Sequence, residues 1–277
     1  MVSRKGSLKI WKFFALFLFL RIGQGLTTEY QPWLGNIYEF EFRSSLIYQG
    51  YGCLSSGHHL KKYSSDDVFL NVSVSNTFQD FALEIEAAEA WTRRERGGVD
   101  QLKITGRYVW QDDIAGDPLT FTTGLSFIQA FQHSLKDVSC FHHGLEEGEL
   151  FLSLGKETPL ENLWGSRWWG MLGIGIAERG SPWLRFYLSY EKRWWDQHEM
   201  KLFLHSLWGL GHKRLHLRHF HGYGPLQHQS VDIGLRYTYL LDFFGSASLE
   251  YSYRIHAQNF PLYTHRVLVQ LLYTFGL

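Results

Sequence analysis

The sequence predicts an all-β protein, an antiparallel up-and-down transmembrane β-barrel of about 12 strands. Three observations carry this. The last segment places Val267, Val269, Leu271, Tyr273 and Phe275 on one face and Arg266, Gln270 and Thr274 on the other. That two-residue repeat gives a strand one side suited to lipid and one suited to water. Phe, Trp and Tyr make up 17% of the chain, with 11 Trp, more than an ordinary core needs and what girdles at two membrane interfaces use. Finally, no stretch reaches the roughly 20 apolar residues of a helical span, so the chain crosses a bilayer as a closed barrel or not at all.

The N-terminal residues read as a secretory signal peptide over 1–25. Arg4, Lys5, Lys9 and Lys12 precede the apolar run Phe13 to Leu20, and Gly23-Gln24-Gly25 supplies small residues for cleavage after Gly25. The run is too short for a membrane anchor. The remaining residues, 26–277, read as one barrel domain. Although the full chain has a formal net charge of zero, removing the leader leaves 22 basic against 27 acidic groups, a net of −5. A chain of that sign gives no reason to expect nucleic acid as a partner.

Alternation marks the strands in order. Tyr38, Phe40 and Phe42 oppose Glu39, Glu41 and Arg43 in the first, from Ile37 to Ile47. Val68 to Val74 gives the second, Phe81 to Ala87 the third with Glu84 and Glu86 on its polar face, Leu102 to Trp110 the fourth and Phe121 to Phe131 the fifth. The pattern weakens from Gln132 to Ser166, where Leu150, Leu152 and Leu154 form at most a short strand. It resumes at Leu172 to Ile176, Leu184 to Tyr190, Leu202 to Leu210, Leu215 to Leu217, Val231 to Tyr239, Leu249 to Ile255 and the closing strand. Without the Leu150 segment the count is about 12, and a hairpin inside the long segment would make it about 14.

With both termini periplasmic, the tight connections Ser75 to Gln79, Glu178 to Ser181, Gly209 to His212 and Phe244 to Ser246 fall on the periplasmic side. The long segments Gly50 to Asp66 and Gln132 to Ser166 fall outside, as barrels of this kind require. Cys53 and Cys140 then lie in two outside loops of an exported chain and are placed to form one disulfide, the alternative being two free thiols.

Inward positions of the second half include Arg185, Lys201, Arg214, Arg218, Arg236, Arg254 and Arg266 against Glu191, Asp232 and Glu250. A lumen lined this way is biased positive and favours anions. Against that stands a filled interior in which Glu39, Glu41, Glu84 and Glu86 neutralise those cations, since a barrel of this size lies between filled and open ones. Histidines crowd two hairpins as His205, His212, His216, His219, His221 and His228, but their spacing fits no closed ligand set, so no metal and no cofactor is expected. His205 or His216 could serve as the base of a lipid-modifying hydrolase. The adjacent His205 and Ser206 point to opposite faces and cannot form a catalytic pair. Trp168-Trp169 and Trp194-Trp195 flank strand ends, where girdle residues belong. A third reading, a secreted soluble barrel, would bury the row Leu249, Tyr251, Tyr253 and Ile255 inside.

Val269, Leu271, Tyr273 and Phe275 resemble the C-terminal assembly signal of Gram-negative outer-membrane β-barrel proteins, with Gly276 and Leu277 added after the usual terminal aromatic. The resemblance is at the level of the class and carries no catalytic residue. It implies residence in the outer membrane, contact with its lipid, and insertion by the barrel assembly machinery. The leading expectation is a non-enzymatic barrel with a structural or surface role, or a narrow, weakly anion-preferring diffusion pore.

Overall fold

The computed structural model describes residues 30–276, apart from 58, 95, 161–162 and 242–244. The expected leader and its cleavage position lie outside the described residues. The strands are β1 (Glu39–Ser56), β2 (His59–Phe78), β3 (Phe81–Trp91), β4 (Gly98–Gln111), β5 (Thr120–Ala130), β6 (Glu146–Leu160) and β7 (Leu163–Ala177). They continue as β8 (Trp183–Trp194), β9 (His198–Gly209), β10 (Gln229–Leu240), β11 (Gly245–Gln258), β12 (Pro261–Leu262) and β13 (His265–Gly276). Long strands pair antiparallel with their neighbours around the sheet, and β13 returns to β1 in unbroken register from Glu39 opposite Gly276 to Gly50 opposite His265. The two-residue β12 only extends β1 at Cys53 and Leu54, so twelve strands close the ring. Closure removes the free edges that could not survive in lipid.

The count agrees with the sequence reading because two errors offset each other. Residues 146–160 form the full strand β6, so the weak Leu150 segment is a barrel strand. Leu215 and Leu217 lie instead in the connection 210–228, which holds only a short 3-10 turn at Leu217–His219. The inserted strand inverts the direction of β7, β8 and β9. Glu178 to Ser181 and Gly209 to His212 therefore sit at the long-loop end with 131–145, not at the short-turn end as expected. Gly50 to Asp66 is no loop either, since β1 and β2 run on as one extended hairpin. Both described chain ends lie at the short-turn end, where Trp195 and Asp196, at φ 54° and 57°, turn β8 into β9.

The outer surface is an apolar belt. Leu46, Val74, Ile85, Ile104, Phe127, Leu152, Ile174, Leu188, Leu202, Leu235, Leu249 and Val269 are all exposed on successive strands, while the residues between them are turned inward and mostly buried. A protein surrounded by water would not leave such a continuous apolar band uncovered. The row Leu249, Tyr251 and Ile255 is exposed, so the soluble barrel with that row inside is overturned. Inside, aromatic rings cover glycines on the neighbouring strand. Phe151 lies opposite Gly124, Trp183 opposite Gly175 and Phe203 opposite Gly234, each ring filling the space a Cβ would take. Glycine under a ring lets a sheet curve sharply without a gap.

Leu235→Arg, in the middle of β10 and facing lipid, is expected to cost about 2–4 kcal/mol of folding free energy in bilayers. Reversible urea unfolding in lipid vesicles measures it, and a change below about 0.5 kcal/mol would show that this belt does not face hydrocarbon.

Candidate functional site

The lumen is occupied at both ends. Tyr30 to Trp33 precede β1 and, lacking strand alternation, turn into the barrel at the short-turn end. Tyr30 is 6% exposed and meets Phe151 edge-on with ring centroids 5.0 Å apart. Its hydroxyl accepts from Lys103 Nζ at 3.2 Å and Arg185 Nη1 at 3.0 Å. The backbone carbonyls of this segment are held as well, Tyr30 O by Ser153, Gln31 O by Arg107 and Pro32 O by Thr122. Arg167 donates to Gln31 Oε1 at 3.2 Å and lies over the Trp33 ring, while Trp33 Nε1 donates to Asp113 Oδ1 at 2.9 Å. Every one of these partners belongs to β4 to β8 or the connection 112–119, so the segment lines one wall.

At the opposite end the connections 131–145, 210–228 and 259–264 fold inward as a cap. Val138, Leu215, Phe220, Tyr223, Leu226 and Phe260 form one buried apolar cluster with Tyr51, Leu54, Trp183 and Leu207 of the barrel. Backbone hydrogen bonds run from Tyr223 N to His142 O, Gly224 N to His143 O and Ser181 N to Gly224 O. Gly224 lets three connections meet, because a Cβ there would press on the carbonyls of Arg179 and His143.

Beneath the cap lies a buried histidine chain. His142 Nε2 is 2.5 Å from Asp100 Oδ2, and both His142 and His143 have Nδ1 3.5 Å from Glu147. His143 stacks on Trp183 at 3.8 Å and faces His228 Nε2 at 3.1 Å. Burial works against a charge on His142, but the Asp100 and Glu147 carboxylates outweigh it and push its pKa up to about 10. His228, buried beside His143 and without a carboxylate contact, is held well below the ordinary histidine range. No group of three or more His, Cys, Asp or Glu among the described residues could hold a metal ion.

Between plug and cap the lumen is polar and largely ion-paired. Arg185 meets Glu149 at 3.1 Å, Arg167 and Lys201 share Glu191, Arg236 meets Glu250 at 2.8 Å, and Arg254 grips Asp232 through two bonds of 2.6 and 2.9 Å. Arg43 reaches Glu41 and Glu84. The described residues leave a void of about 150 Å³ toward the plug among Arg43, Arg236, Lys201 and Glu199, and one of about 90 Å³ under the cap among Arg254, Arg266, His205 and Phe260.

The positions expected from sequence divide accordingly. Arg185, Lys201, Arg236, Arg254, Arg266, Glu191, Asp232 and Glu250 face the lumen. Arg214 and Arg218 do not, because their segment is an exposed part of the cap and not a strand. His205 faces inward, 3.8 Å from Asp232, but His216 is exposed in the same cap segment, so the two candidate bases do not share a site. Cys53 and Cys140 are both free, not bridged. Cys53 sits on β1 against the Leu262 carbonyl, whereas Cys140 is buried with Ile47, Phe69, Ala90 and Leu268, and burial raises its thiol pKa well above the usual value. Trp169 is not a girdle residue, since it points inward, donates to Glu191 at 2.8 Å and stacks on Tyr187. Val269, Leu271, Tyr273 and Phe275 are exposed on the lipid side of β13. The sequence reading misses the plug and the His142–His143–His228 chain. Its one signal for the plug is a pair of aromatics flanking Gln31-Pro32 where no strand pattern exists.

No family model and no curated protein matches this sequence. The fold does match solved outer-membrane barrels. An outer membrane channel from Pseudomonas putida F1 superposes with TM-score 0.64 at 10% identity, over 91% of this chain and 100% of that one. The NanC porin gives 0.54 at 9% identity, over 82% and 98%. The KdgM porin in complex with disordered oligogalacturonate gives 0.50 at 10% identity, over 84% and 99%. The chain thus has the architecture of a twelve-stranded outer-membrane barrel.

Plug and cap each yield an expected outcome. Tyr30→Phe strips the hydroxyl from two buried cations and is expected to lower stability by about 1–3 kcal/mol, measured by urea unfolding. His142 has a raised folded-state pKa, so its stabilisation is complete below about pH 6.5 and disappears as pH climbs to about 10. His228, with a depressed one, weakens the cap below about pH 6.5. Resistance of residues 210–228 to proteolysis should therefore peak near about pH 6.5, and His142→Gln should flatten the alkaline limb alone. A profile identical to wild type in that variant would refute the assignment.

Proposed function

We propose that this protein is an outer-membrane barrel forming a narrow, gated pore, closed here by its own N-terminal segment and by the cap. In this reading the long-loop end faces outside, the short-turn end and both termini face the periplasm, and residues 1–25 are a removed leader. The barrel assembly machinery inserts the chain through the signal around Tyr273 and Phe275. The belt of exposed Leu, Ile and Val around every wall supports contact with lipid.

One observation carries the gating. The plug lies at the N-terminal side of the barrel, joined to it only through β1, and its hydrogen bonds run from lumen side chains to Tyr30, Gln31 and Pro32. It can leave without breaking one bond of the strand ladder. An interior filled by strand side chains, as in small closed barrels, offers no such exit. The similar fold of proteins described as a channel and as porins supports the same reading. Because Glu149, Glu191, Asp232 and Glu250 offset most lumen cations, selectivity for anions is weak.

The hydrolase alternative has no lipid-facing base to work with, because His205 is enclosed in the lumen and His216 lies in the cap beyond the barrel strands.

Planar-bilayer recordings of the mature chain should show rare, small steps, and removal of residues 26–36 should make openings frequent and larger. Equal silence from both forms, each shown to be folded and inserted, would overturn the pore.

A further inference from the structure

The wall formed by β10, β11 and β13 carries three arginines that the strand register treats differently. Arg254 lies directly opposite Asp232 and Arg236 directly opposite Glu250. Arg266 lies between Gln49 on β1 and Ser252 on β11, both neutral. Two guanidiniums are thus neutralised by cross-strand carboxylates at 2.6 and 2.8 Å. Among the described residues, no hydrogen bond or ion pair is made by Arg266.

Its side chain lines the void of about 90 Å³ beneath the cap. His205 lines the same void, and its Nε2 is buried without a hydrogen-bond partner. Ser230, Gln101 and Gln49 add neutral polar groups, and Phe260 closes the side under the cap. Arg266 is half-buried, and the carboxylates that act on it, Glu250 and Asp232, are engaged by Arg236 and Arg254, so an anion that takes up its donors relieves the cost of its burial. At about 30 Å³ per water molecule the void has room for only a few waters, which sets the size of the ion it can take.

We propose that this void is a binding site for a small monoanion of carboxylate type, with Arg266 as its main anchor. Arg266 offers its planar fork to the two oxygens, while His205 forms part of the wall with its Nδ1 turned toward Asp232 at 3.8 Å. Asp232 and Glu147 also line the void, and they repel a second negative charge and so exclude dianions. The site exists in the closed barrel and is independent of whether the pore conducts.

The test uses the mature barrel in detergent, titrated with sodium formate, acetate or gluconate at constant ionic strength while the thermal midpoint is followed. Formate and acetate are expected to raise the midpoint saturably and gluconate, too large for the void, to leave it unchanged. Arg266→Gln should weaken the apparent affinity roughly tenfold or more, whereas Arg193→Gln, at the plug end of the lumen, should not. An unchanged formate response in Arg266→Gln, or equal effects of formate and gluconate on the wild type, would overturn the site. Should Arg266→Gln fail to fold, broadening of the 13C-labelled formate resonance by wild-type protein decides. Broadening reversed by acetate but not by gluconate supports the site, and any other result refutes it.

Discussion

The register between the first and last strands is the constraint on which the rest of this structure depends. Paired residues from Glu39–Gly276 to Gly50–His265 turn an open sheet into a ring. In hydrocarbon an unpaired backbone group costs several kcal/mol, so the outer belt becomes tolerable only after this seam is made. The same seam fixes which residues face inward. A slip of one residue would send Arg43, Gln49, Arg266 and Gln270 into lipid and bring Phe42, Tyr48, Val269 and Tyr273 into the lumen.

Within that ring the interior is resolved by three kinds of packing. Rings over glycines set local curvature, ion pairs between neighbouring strands neutralise most buried charge, and segments outside the strands fill the two ends. The plug mixes two kinds of contact, since arginine, lysine, serine and threonine side chains meet its phenol and backbone carbonyls while Tyr30 and Trp33 share a small apolar cluster with Phe151, Trp169 and Met171. The cap is built around a larger apolar cluster with Leu54, Leu215, Tyr223, Leu226 and Phe260. Burial of apolar surface gives the cap a diffuse stability, while the plug adds to a smaller apolar contact a set of directed bonds that can be exchanged for water.

The barrel is legible in the sequence because a strand with lipid on one side must alternate, and β13, β11 and β8 do so without a fault. Legibility fails where alternation does. Glu146, Glu147, Gly148 and Glu149 open β6 with acidic residues on both faces, since this end has left the lipid, and so the strand reads as loop. Leu215 and Leu217 alternate with basic residues for a different reason, as Leu215 anchors the cap while Arg214, His216 and Arg218 lie on its outer side. The lumen arginines on true strands emerge from parity alone. The partners of His142, His143 and His228 do not, because segments distant in sequence bring them together, and no periodic pattern records that approach.

The placement of Tyr30 sets a condition on what can precede it. The chain enters the lumen just ahead of the strand that closes the barrel, so Tyr30 already stands inside the wall. The voids that the described residues leave beside it, about 150 Å³ among Arg43, Arg236 and Lys201 and about 90 Å³ under the cap, are small. A folded reporter placed directly ahead of Tyr30 is larger than these voids, and its bulk would hold Tyr30 and Trp33 outside. Such a fusion perturbs the state it is meant to observe, whereas the hairpin tip at Gly57, at the far end of two paired strands, can carry a label without entering the lumen.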